Sequence, residues 1–333
     1  MLNINKPPNI DSPEKSSQGR QPPTHSPNGD KLLRPYKVLR DPLRGCFAVS
    51  QTGGRPDRFG KEQGQMPTHS IHNLNAVSQT LLIPLYFRAM ESQRPDALVR
   101  DPKAVELVGQ LDCDFSGVQR MKNEQVNYLL RMREFDRLAR AFLAEHPDGV
   151  IVDLGCGLDT RFERIDNGQA EWYGLDLPEV IELRKELLEE TPRSHFIGCS
   201  VLDFSWMDAL SGQAGKHILF LAEGMLVYLE EADVKRLVQA LARRFLGAEL
   251  ACEVYSPVVV RFHPRPAAVA QPHWGLKDDR DVEAWAPGIR LLSQWYYFDK
   301  PEPRQGAFQI MRYFPFLARM VRIVHYRLGE AAG

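Results

Sequence analysis

The stretch from Gly149 to Thr160, GVIVDLGCGLDT, places the strongest constraint on how this chain folds. Apolar and β-branched residues lead into Asp153, and the turn that follows contains Gly155 and Gly157. Such a run predicts a buried strand that ends sharply in a loop. Because glycine has no Cβ, a ligand can lie directly against the main-chain amides of this loop. The stretch therefore predicts a binding turn at the end of a strand.

A second predicted strand, EWYGLD, ends at Asp176, nineteen residues after Gly157. In open α/β sheets an acidic side chain at this spacing lies at the carboxyl end of the neighbouring strand. There it can accept hydrogen bonds from both ribose hydroxyls of a nucleoside. The glycine turn and Asp176 together predict a site for a nucleoside-containing cofactor.

Strands and helices alternate regularly after Gly149. Hydrophobic patterns predict strands at 149–155, 171–176, 194–199, 217–223 and 248–255, separated by helices near 159–166, 178–190, 206–211 and 231–245. This alternation is typical of an α/β fold with a mostly parallel sheet, helices on both faces and right-handed crossovers. A strand at 289–298, a helix at 306–319 and a strand at 321–328 follow. The short last connection favours antiparallel pairing at the sheet edge.

The rest of the chain is predicted to form an extension, a helical cover and an insertion. The Pro-, Ser- and Gln-rich composition of the first 65 residues predicts disorder. Helical patterns begin near Asn73 and include a helix near Pro102 and a long one at 117–145. The predicted organisation is an extension at 1–65 and one domain at 66–333, made of a helical cover at 66–147, a cofactor-binding core at 148–255, a lid insertion at 256–288 and C-terminal strands and helix at 289–333.

Charge and cysteine content argue against several classes of protein. A net charge of −1 and a pI near 6.8 give no reason to expect nucleic-acid or membrane binding. The five cysteines are widely spaced and lack a CxxC pair, which predicts reduced thiols and neither a metal site nor a disulfide framework. The sequence contains no run of about 18 uncharged apolar residues, so a membrane-spanning helix is not expected. We expect a cytoplasmic protein that acts on a small molecule, with an oligomeric state that the sequence does not specify.

Two nucleoside cofactors fit the glycine turn: a nicotinamide dinucleotide and S-adenosylmethionine. The dinucleotide fingerprint has a third small residue where this chain has Thr160. Asp153 and Asp159 also place carboxylates where a pyrophosphate would bind. S-adenosylmethionine is cationic at sulfur and at its amine, so it suits these acids. The sequence favours S-adenosylmethionine and leaves an NAD-dependent oxidoreductase as the alternative.

Five strings in this chain resemble the leucine carboxyl methyltransferase family, in particular its bacterial branch of polyketide-type O-methyltransferases: RPDALVRDPKAVELV, RMREFDRLARAFL, DLGCGLDTRFERI, GLDLPEVIELRKELL and AEGMLVYL. The resemblance covers about residues 74–328. It implies a Rossmann-like class I methyltransferase with a seven-stranded sheet whose last strand is antiparallel. It also implies methyl transfer from S-adenosylmethionine to a hydroxyl or carboxylate of a small aromatic or polyketide-like molecule in secondary metabolism.

The resemblance assigns cofactor contacts to the two glycines of the turn and to three residues after it. Gly155 and Gly157 would line its methionine part, and Asp176 would hold the ribose hydroxyls. Asp203 and Phe204 match the family's pair at the adenine edge, where the carboxylate takes the exocyclic amine. For Asp203 the alternative is a helix N-cap ahead of Trp206.

The resemblance also assigns charged residues to the methionine end. Glu223 would lie beneath the methionine portion, and a carboxylate in an apolar strand is costly unless it is paired or faces a cavity. Arg131 would bind the cofactor carboxylate, a task that suits a bidentate guanidinium, and Arg133 is the alternative. Arg88 matches a basic residue near the methionine end or a substrate acid.

Catalytic residues are not specified by these motifs. A carboxylate acceptor needs no general base, whereas a hydroxyl acceptor can use a histidine. His263 and His273 in the predicted lid are the candidates, with His72 more distant. Trp274 and Trp285 could wall an aromatic acceptor, and a structural or surface role is the alternative for each of them. A non-catalytic protein that binds the cofactor, or an interaction protein, is the remaining alternative.

Overall fold

Seven strands form one sheet in this protein, for which the computed structural model describes residues 78–262 and 271–329. The strands are β1 (Val150–Leu154), β2 (Glu171–Asp176), β3 (Ser194–Gly198), β4 (Ile218–Ala222), β5 (Glu249–Tyr255), β6 (Arg290–Tyr296) and β7 (Val321–Arg327). Their spatial order is β3-β2-β1-β4-β5-β7-β6, with parallel pairing from β3 through β5 and antiparallel pairing of β7 to both neighbours. The predicted α/β fold and its antiparallel last strand are confirmed.

The order of the strands changes direction at β1, which is the first strand and pairs with both β2 and β4. In open α/β sheets ligands bind at such a switch point, beyond the carboxyl ends of the strands. The glycine turn follows β1 directly, and Asp176 ends β2. The topology therefore brings these two predicted site features to the same edge of the sheet.

Helices cover both faces of the sheet. The α-helices are α1 (Leu82–Ser92), α2 (Pro102–Gln110), α3 (Ser116–Gln119), α4 (Lys122–Glu145), α5 (Arg161–Ile165), α6 (Pro178–Leu187), α7 (Glu231–Arg244), α8 (Pro257–Phe262) and α9 (Pro315–Ala318). Further 3-10 segments occupy Ser78–Leu81, Phe204–Gln213, Leu226–Tyr228, Asp279–Ala284 and Pro303–Tyr313. None of the described helices combines the length and apolar content that crossing a bilayer requires.

Alternation along β4 shows how the core is divided between the two faces. Leu219 and Leu221 pack with Phe135 of α4, whereas Phe220 between them packs with Leu237 of α7. All five side chains are buried. Because successive strand residues point to opposite faces, a continuously apolar strand can serve both layers at once. Full burial of one such side chain contributes about 1.5–3 kcal/mol, so this central strand anchors both helical layers.

Three helix predictions need correction. The long helix predicted at 117–145 is interrupted between α3 and α4, and the helix predicted at 206–211 is a 3-10 segment. The helix predicted at 306–319 is also a 3-10 segment followed by α9. Gly306 there has a φ of 57°, and Phe314 is extended ahead of Pro315. The residue before a proline is disfavoured in the helical region, which accounts for the second break.

Pro84 lies within α1 without breaking it, since it occupies the first turn. The first amides of a helix have no intrahelical acceptor, so a proline there removes no hydrogen bond. The predicted helix near Pro102 is confirmed as α2, with Asp101 as its N-cap and a 2.9 Å hydrogen bond from the Ala104 amide to the Asp101 carboxylate.

The segment predicted as a lid is partly ordered as core. Trp274 is buried against the sheet and packs near Trp285, with ring centroids 6.3 Å apart. The backbone amides of His273 and Trp274 both donate to the Val227 carbonyl. The structural alternative therefore holds for Trp274, and a lid role for this segment stays a prediction. The extension at 1–65, His72 and His263 lie outside the described residues.

Candidate active site

A cleft opens at the carboxyl edge of the sheet between β2 and β5. Its lining includes the glycine turn, Asp176, and Arg131 of α4. Residues of the first helical segment, such as Leu81 and Arg88, close it from above the turn. The predicted cover helices and the predicted cofactor core thus form one cleft.

The glycine turn has a backbone that other residues rarely adopt. Gly155 and Gly157 have φ values of 74° and 48°, in the left-handed region that favours glycine. A Cβ added to Gly155 would lie 2.7 Å from Cγ of Met225, and one added to Gly157 would lie 3.2 Å from Cβ of Leu81. Glycine is therefore needed at both positions for backbone geometry, and at Gly155 also for space.

Asp176 joins the end of β2 to the glycine turn. Its Oδ2 accepts the Gly157 amide at 2.7 Å, and its Oδ1 accepts the Leu177 amide at the same distance. Burial raises the pKa of Asp176, although these two amides oppose that shift. Each carboxylate oxygen can accept a further hydrogen bond. Asp176 is thus oriented by backbone amides while it lines the cleft, as the predicted ribose contact requires.

Glu223 and Arg131 meet at the opposite end of the cleft. Arg131 donates from Nε to Glu223 at 2.9 Å and from Nη1 to Glu253 of β5 at 3.0 Å. The Tyr297 hydroxyl donates to the second oxygen of Glu253. A carboxylate here was expected to be paired or to face a cavity, and Glu223 does both. Arg133 is exposed on α4, so of the two arginines Arg131 is the one in the cleft.

Arg161, the first residue of α5, is fully buried behind this pair. Its guanidinium contacts four carboxylates: Asp136 at 2.8 Å, Asp153 at 3.3 Å, Asp159 at 2.6 Å and Glu223 at 2.5 Å. Buried charges persist only when they are paired and hydrogen-bonded. Arg161 therefore offsets part of the negative charge behind the cleft and holds Glu223 in place.

Arg88 belongs to a second buried network beside the turn. Its Nε donates to Asp101 at 2.8 Å and its Nη2 to the Leu158 carbonyl at 2.6 Å. Arg164 and the Thr160 hydroxyl donate to the same carboxylate of Asp101. Arg88 lines the cleft as predicted, but these contacts use its guanidinium to tie α1 to the glycine turn.

Asp203 and Phe204 lie beyond the enclosed part of the cleft. Asp203 is exposed and accepts the Ser205 amide at 3.2 Å as the N-cap of the 3-10 segment, so the N-cap alternative describes the contacts seen. The Cys199 amide donates to the Asp176 carbonyl at 2.9 Å, which places the chain leading to Asp203 next to Asp176. A role for the pair at the adenine edge stays a prediction.

Of the two candidate histidines, His273 lies in the described part of the chain and does not line the cleft. His273 is half exposed, with its Nδ1 3.3 Å from a Glu230 carboxylate oxygen, and it is not among the residues that line the cleft. Trp274 and Trp285 are likewise absent from that lining. A general-base role for His273 thus has no support in the geometry.

Asp153 provides a pH-dependent charge in the cleft. Burial, with Asp159 and Glu223 nearby, raises the pKa of Asp153 to about 7 against the opposing effect of Arg161. Lowering the pH from 8 to 6 therefore neutralises this carboxylate. A cationic sulfonium ligand should lose affinity relative to its uncharged thioether analogue, by up to roughly tenfold for one unit of pKa coupling.

Isothermal titration with S-adenosylmethionine and S-adenosylhomocysteine at both pH values measures this ratio. In Asp153→Asn the ratio should no longer change with pH. A wild-type ratio that stays constant from pH 8 to pH 6 would contradict the prediction.

Several residues of the site were not found by sequence reasoning. Arg161, Asp101 and Glu253 were not singled out. Glu253 carried a usable signal, because it is a carboxylate within the apolar strand ELACEVY, like Glu223 at the end of β4. No sequence signal distinguished Arg161 or Asp101 as site residues, since charged residues are common at the starts of helices.

The leucine carboxyl methyltransferase family model matches residues 82–242. A relative from Streptomyces glaucescens, tetracenomycin polyketide synthesis O-methyltransferase TcmP, is 34% identical over 68% of this chain and 86% of its own length. The chain belongs to the leucine carboxyl methyltransferase family. The match includes the glycine turn, Asp176 and Glu223, whereas Leu81 and Tyr255 of the cleft lie just outside the matched range.

Two further proteins are similar to this chain. An S-adenosyl-L-methionine-dependent methyltransferase, dpfgK, from Gibberella zeae is 23% identical over 67% of this chain and 83% of its length. A solved structure of a DUF574 family protein from Streptomyces avermitilis aligns with a TM-score of 0.48 at 15% identity, over 74% of this chain and 96% of that one. The prediction that S-adenosylmethionine is the cofactor is confirmed by the relatives of this family.

Proposed function

We propose that this protein transfers the methyl group of S-adenosylmethionine to a hydroxyl or carboxylate oxygen of a small aromatic or polyketide-like molecule. The observation that carries the proposal is the cleft that joins the glycine turn and Asp176 at one end to Arg131 and Glu223 at the other. When bound, the cofactor supplies a methyl group on a positively charged sulfur. The following contacts support this assignment.

The charges of the cleft suit a ligand of this kind. Carboxylates of Asp153, Asp159, Asp176 and Glu223 line it, against two lining cations, Arg88 and Arg131. An excess of acidic groups disfavours a pyrophosphate and favours a cation. The residues present therefore fit S-adenosylmethionine better than a nicotinamide dinucleotide.

The Arg131–Glu223 pair is also suited to an amino acid group. Its guanidinium can bind a carboxylate and its carboxylate can bind an ammonium, and a bound zwitterion would meet both charges at once. Glu253 and Arg161 hold the two partners from behind at 3.0 Å and 2.5 Å. We assign the methionine end of the cofactor to this pair and its ribose to Asp176.

Three tyrosines wall the cleft beyond this pair: Tyr128, Tyr228 and Tyr255. Tyr128 lies on α4, Tyr228 in the chain after β4 and Tyr255 at the end of β5. In the sheet, β4 and β5 lie on the side of β1 away from β2, the strand that ends at Asp176. Aromatic walls favour a planar, aromatic acceptor through stacked or edge-to-face contacts. The polyketide O-methyltransferase named among the relatives supports the same class of acceptor.

The chemistry of the acceptor follows from the groups in the cleft. The described lining has no histidine. A carboxylate is already ionised and an acidic phenol nearly so, and neither requires a strong base. Alignment of the acceptor oxygen within a water-poor cleft then supplies the main catalytic effect. We therefore assign to the tyrosine wall the task of orienting the acceptor.

Isothermal titration of the purified protein with S-adenosylhomocysteine tests the cofactor, and transfer of a tritiated methyl group to a panel of aromatic hydroxy acids tests the reaction. We expect micromolar binding and label in a base-labile ester or a base-stable ether, which separates carboxylate from hydroxyl acceptors. Glu223→Gln should reduce transfer, while the exposed Glu182→Gln should leave it unchanged. Binding of NADH in place of S-adenosylhomocysteine would overturn the proposal.

A further inference from the structure

Arg184 of α6 lies behind the glycine turn and outside the cleft. Its side chain is almost fully buried, and its guanidinium carbon lies 4.6 Å from the centroid of the Phe196 ring. Its Nη1 donates to the Gly157 carbonyl at 2.9 Å and to the Asp159 carbonyl at 2.7 Å. One nitrogen atom thus holds two carbonyls of the turn.

These two carbonyls belong to the residues that present the turn to the cleft. The amide of Gly157 donates to Asp176, while its carbonyl accepts from Arg184. The Asp159 side chain pairs with Arg161 and Arg164, while its carbonyl also accepts from Arg184. Arg184 therefore restrains the turn from the side opposite Asp176, and the turn is held between an anion and a cation.

A glycine within β2 makes room for Cys156 of the turn. A Cβ on Gly174 would lie 3.0 Å from Cys156 Sγ and 3.7 Å from Arg184 Nε. Gly174 has no positive φ that would require glycine, and glycine weakens a strand interior. The strand thus omits a side chain where the turn and Arg184 pass against it.

Arg184 keeps this position at an energetic cost. Its Nε is buried without a hydrogen-bond partner, as is Nε1 of Trp172, and both residues line a small cavity under the turn. An unpaired buried donor destabilises the folded protein. Two hydrogen bonds to the turn carbonyls and the contact with the Phe196 ring define where the guanidinium lies.

We propose that Arg184 is a positioning residue for the cofactor loop: it fixes the Gly157 and Asp159 carbonyls so that the Gly157 amide and Asp176 stay aligned for the cofactor. The inference rests on the proposed function for the identity of the ligand. The geometry of the turn in the free protein does not depend on that identity. Charge-assisted hydrogen bonds to a cation restrain a loop more firmly than neutral ones.

The test compares Arg184→Met and Arg184→Lys with wild type, and uses Lys185→Met as the matched control. Lys185 is exposed on the same helix and contacts only the carboxylate of Glu190 at 3.4 Å among the described residues, so its removal changes charge without touching the turn. S-adenosylhomocysteine affinity is measured by isothermal titration. Hydrogen exchange of a peptide spanning 154–160 is measured without ligand.

We expect Arg184→Met to weaken S-adenosylhomocysteine binding at least about tenfold and to speed exchange in the turn peptide more than in β4 or β5. Arg184→Lys, which keeps a donor cation, should recover most of the affinity, and Lys185→Met should match wild type. Wild-type affinity and turn exchange in Arg184→Met would overturn the proposal. So would equal acceleration of exchange throughout the sheet, which indicates a purely structural role.

Two outcomes separate this inference from the proposed function. If wild type does not bind S-adenosylhomocysteine, the proposed function fails, while turn exchange in the free variants still decides the role of Arg184. If Arg184→Met does not fold, Arg184→Gln, which can still donate to one carbonyl, replaces it with the same expected direction. Failure of both variants to fold would overturn the positioning role.

Discussion

Asp176→Ala is expected to weaken S-adenosylhomocysteine binding by roughly 100-fold or more, measured by isothermal titration. A hydrogen bond to a charged group contributes about 1.5–3 kcal/mol, and the ribose hydroxyls offer two donors to this carboxylate. Tenfold in affinity corresponds to about 1.4 kcal/mol. The substitution also removes the acceptor of the Gly157 amide, so the glycine turn loses one of its restraints.

Two variants control for these separate effects. Asp176→Asn keeps the volume and one acceptor, and we expect it to bind with an affinity between those of wild type and alanine. Glu182→Gln changes an exposed carboxylate on the helix that follows Asp176 and should bind as wild type does. Wild-type affinity in a folded Asp176→Ala protein would show that the ribose site is elsewhere.

Arg161→Met is expected to lower the free energy of unfolding by about 3–5 kcal/mol, the cost of breaking a buried ion pair from one side. The guanidinium is about 1% exposed and contacts four carboxylates, which the variant would leave close together with one cation fewer. Urea unfolding followed by circular dichroism measures this loss. Arg164 would not replace Arg161 beside Glu223, because its own ion pairs are with Asp101, Asp136 and Asp159.

Arg137→Gln is the matched control for Arg161→Met. Arg137 is an exposed arginine on α4 that pairs with Glu134 one helical turn away. Exposed pairs of this kind contribute about 0–1 kcal/mol. A loss of stability in Arg161→Met no larger than that of the control would mean that the surrounding carboxylates are protonated in the folded protein and need no cation.

Local patterns were enough to predict the strands and the glycine turn that lines the cleft. The run into Asp153, the two glycines and the spacing to Asp176 are set by short stretches of backbone, and the structure places them where the sequence indicated. The five parallel strands agree within about a residue at most ends because each is a short apolar run bounded by polar turns. Glu223 was expected to be paired or to face a cavity, since an isolated buried carboxylate is costly.

The partners of these residues could not be predicted in the same way. Glu223 meets Arg131 and Arg161, which lie 92 and 62 positions earlier in the chain. Which charges meet depends on how α4 and α5 pack on the sheet, and no local pattern encodes that packing. The role of Arg184 was also not predicted from the sequence. Its acceptors are backbone carbonyls, which any residue provides, so no residue type in the turn indicates the contact.

The wide spacing of these partners has a consequence for synthesis of the protein. Glu253, the last carboxylate partner of Arg131 to be synthesised, comes 122 residues after it in the chain. At about 5–20 residues per second, a ribosome leaves Arg131 without that partner for on the order of ten seconds. A nascent chain that has reached α6 already carries the glycine turn and Asp176 but lacks Glu223 and Glu253. The methionine end proposed for the site is therefore complete only after Glu253 has been synthesised.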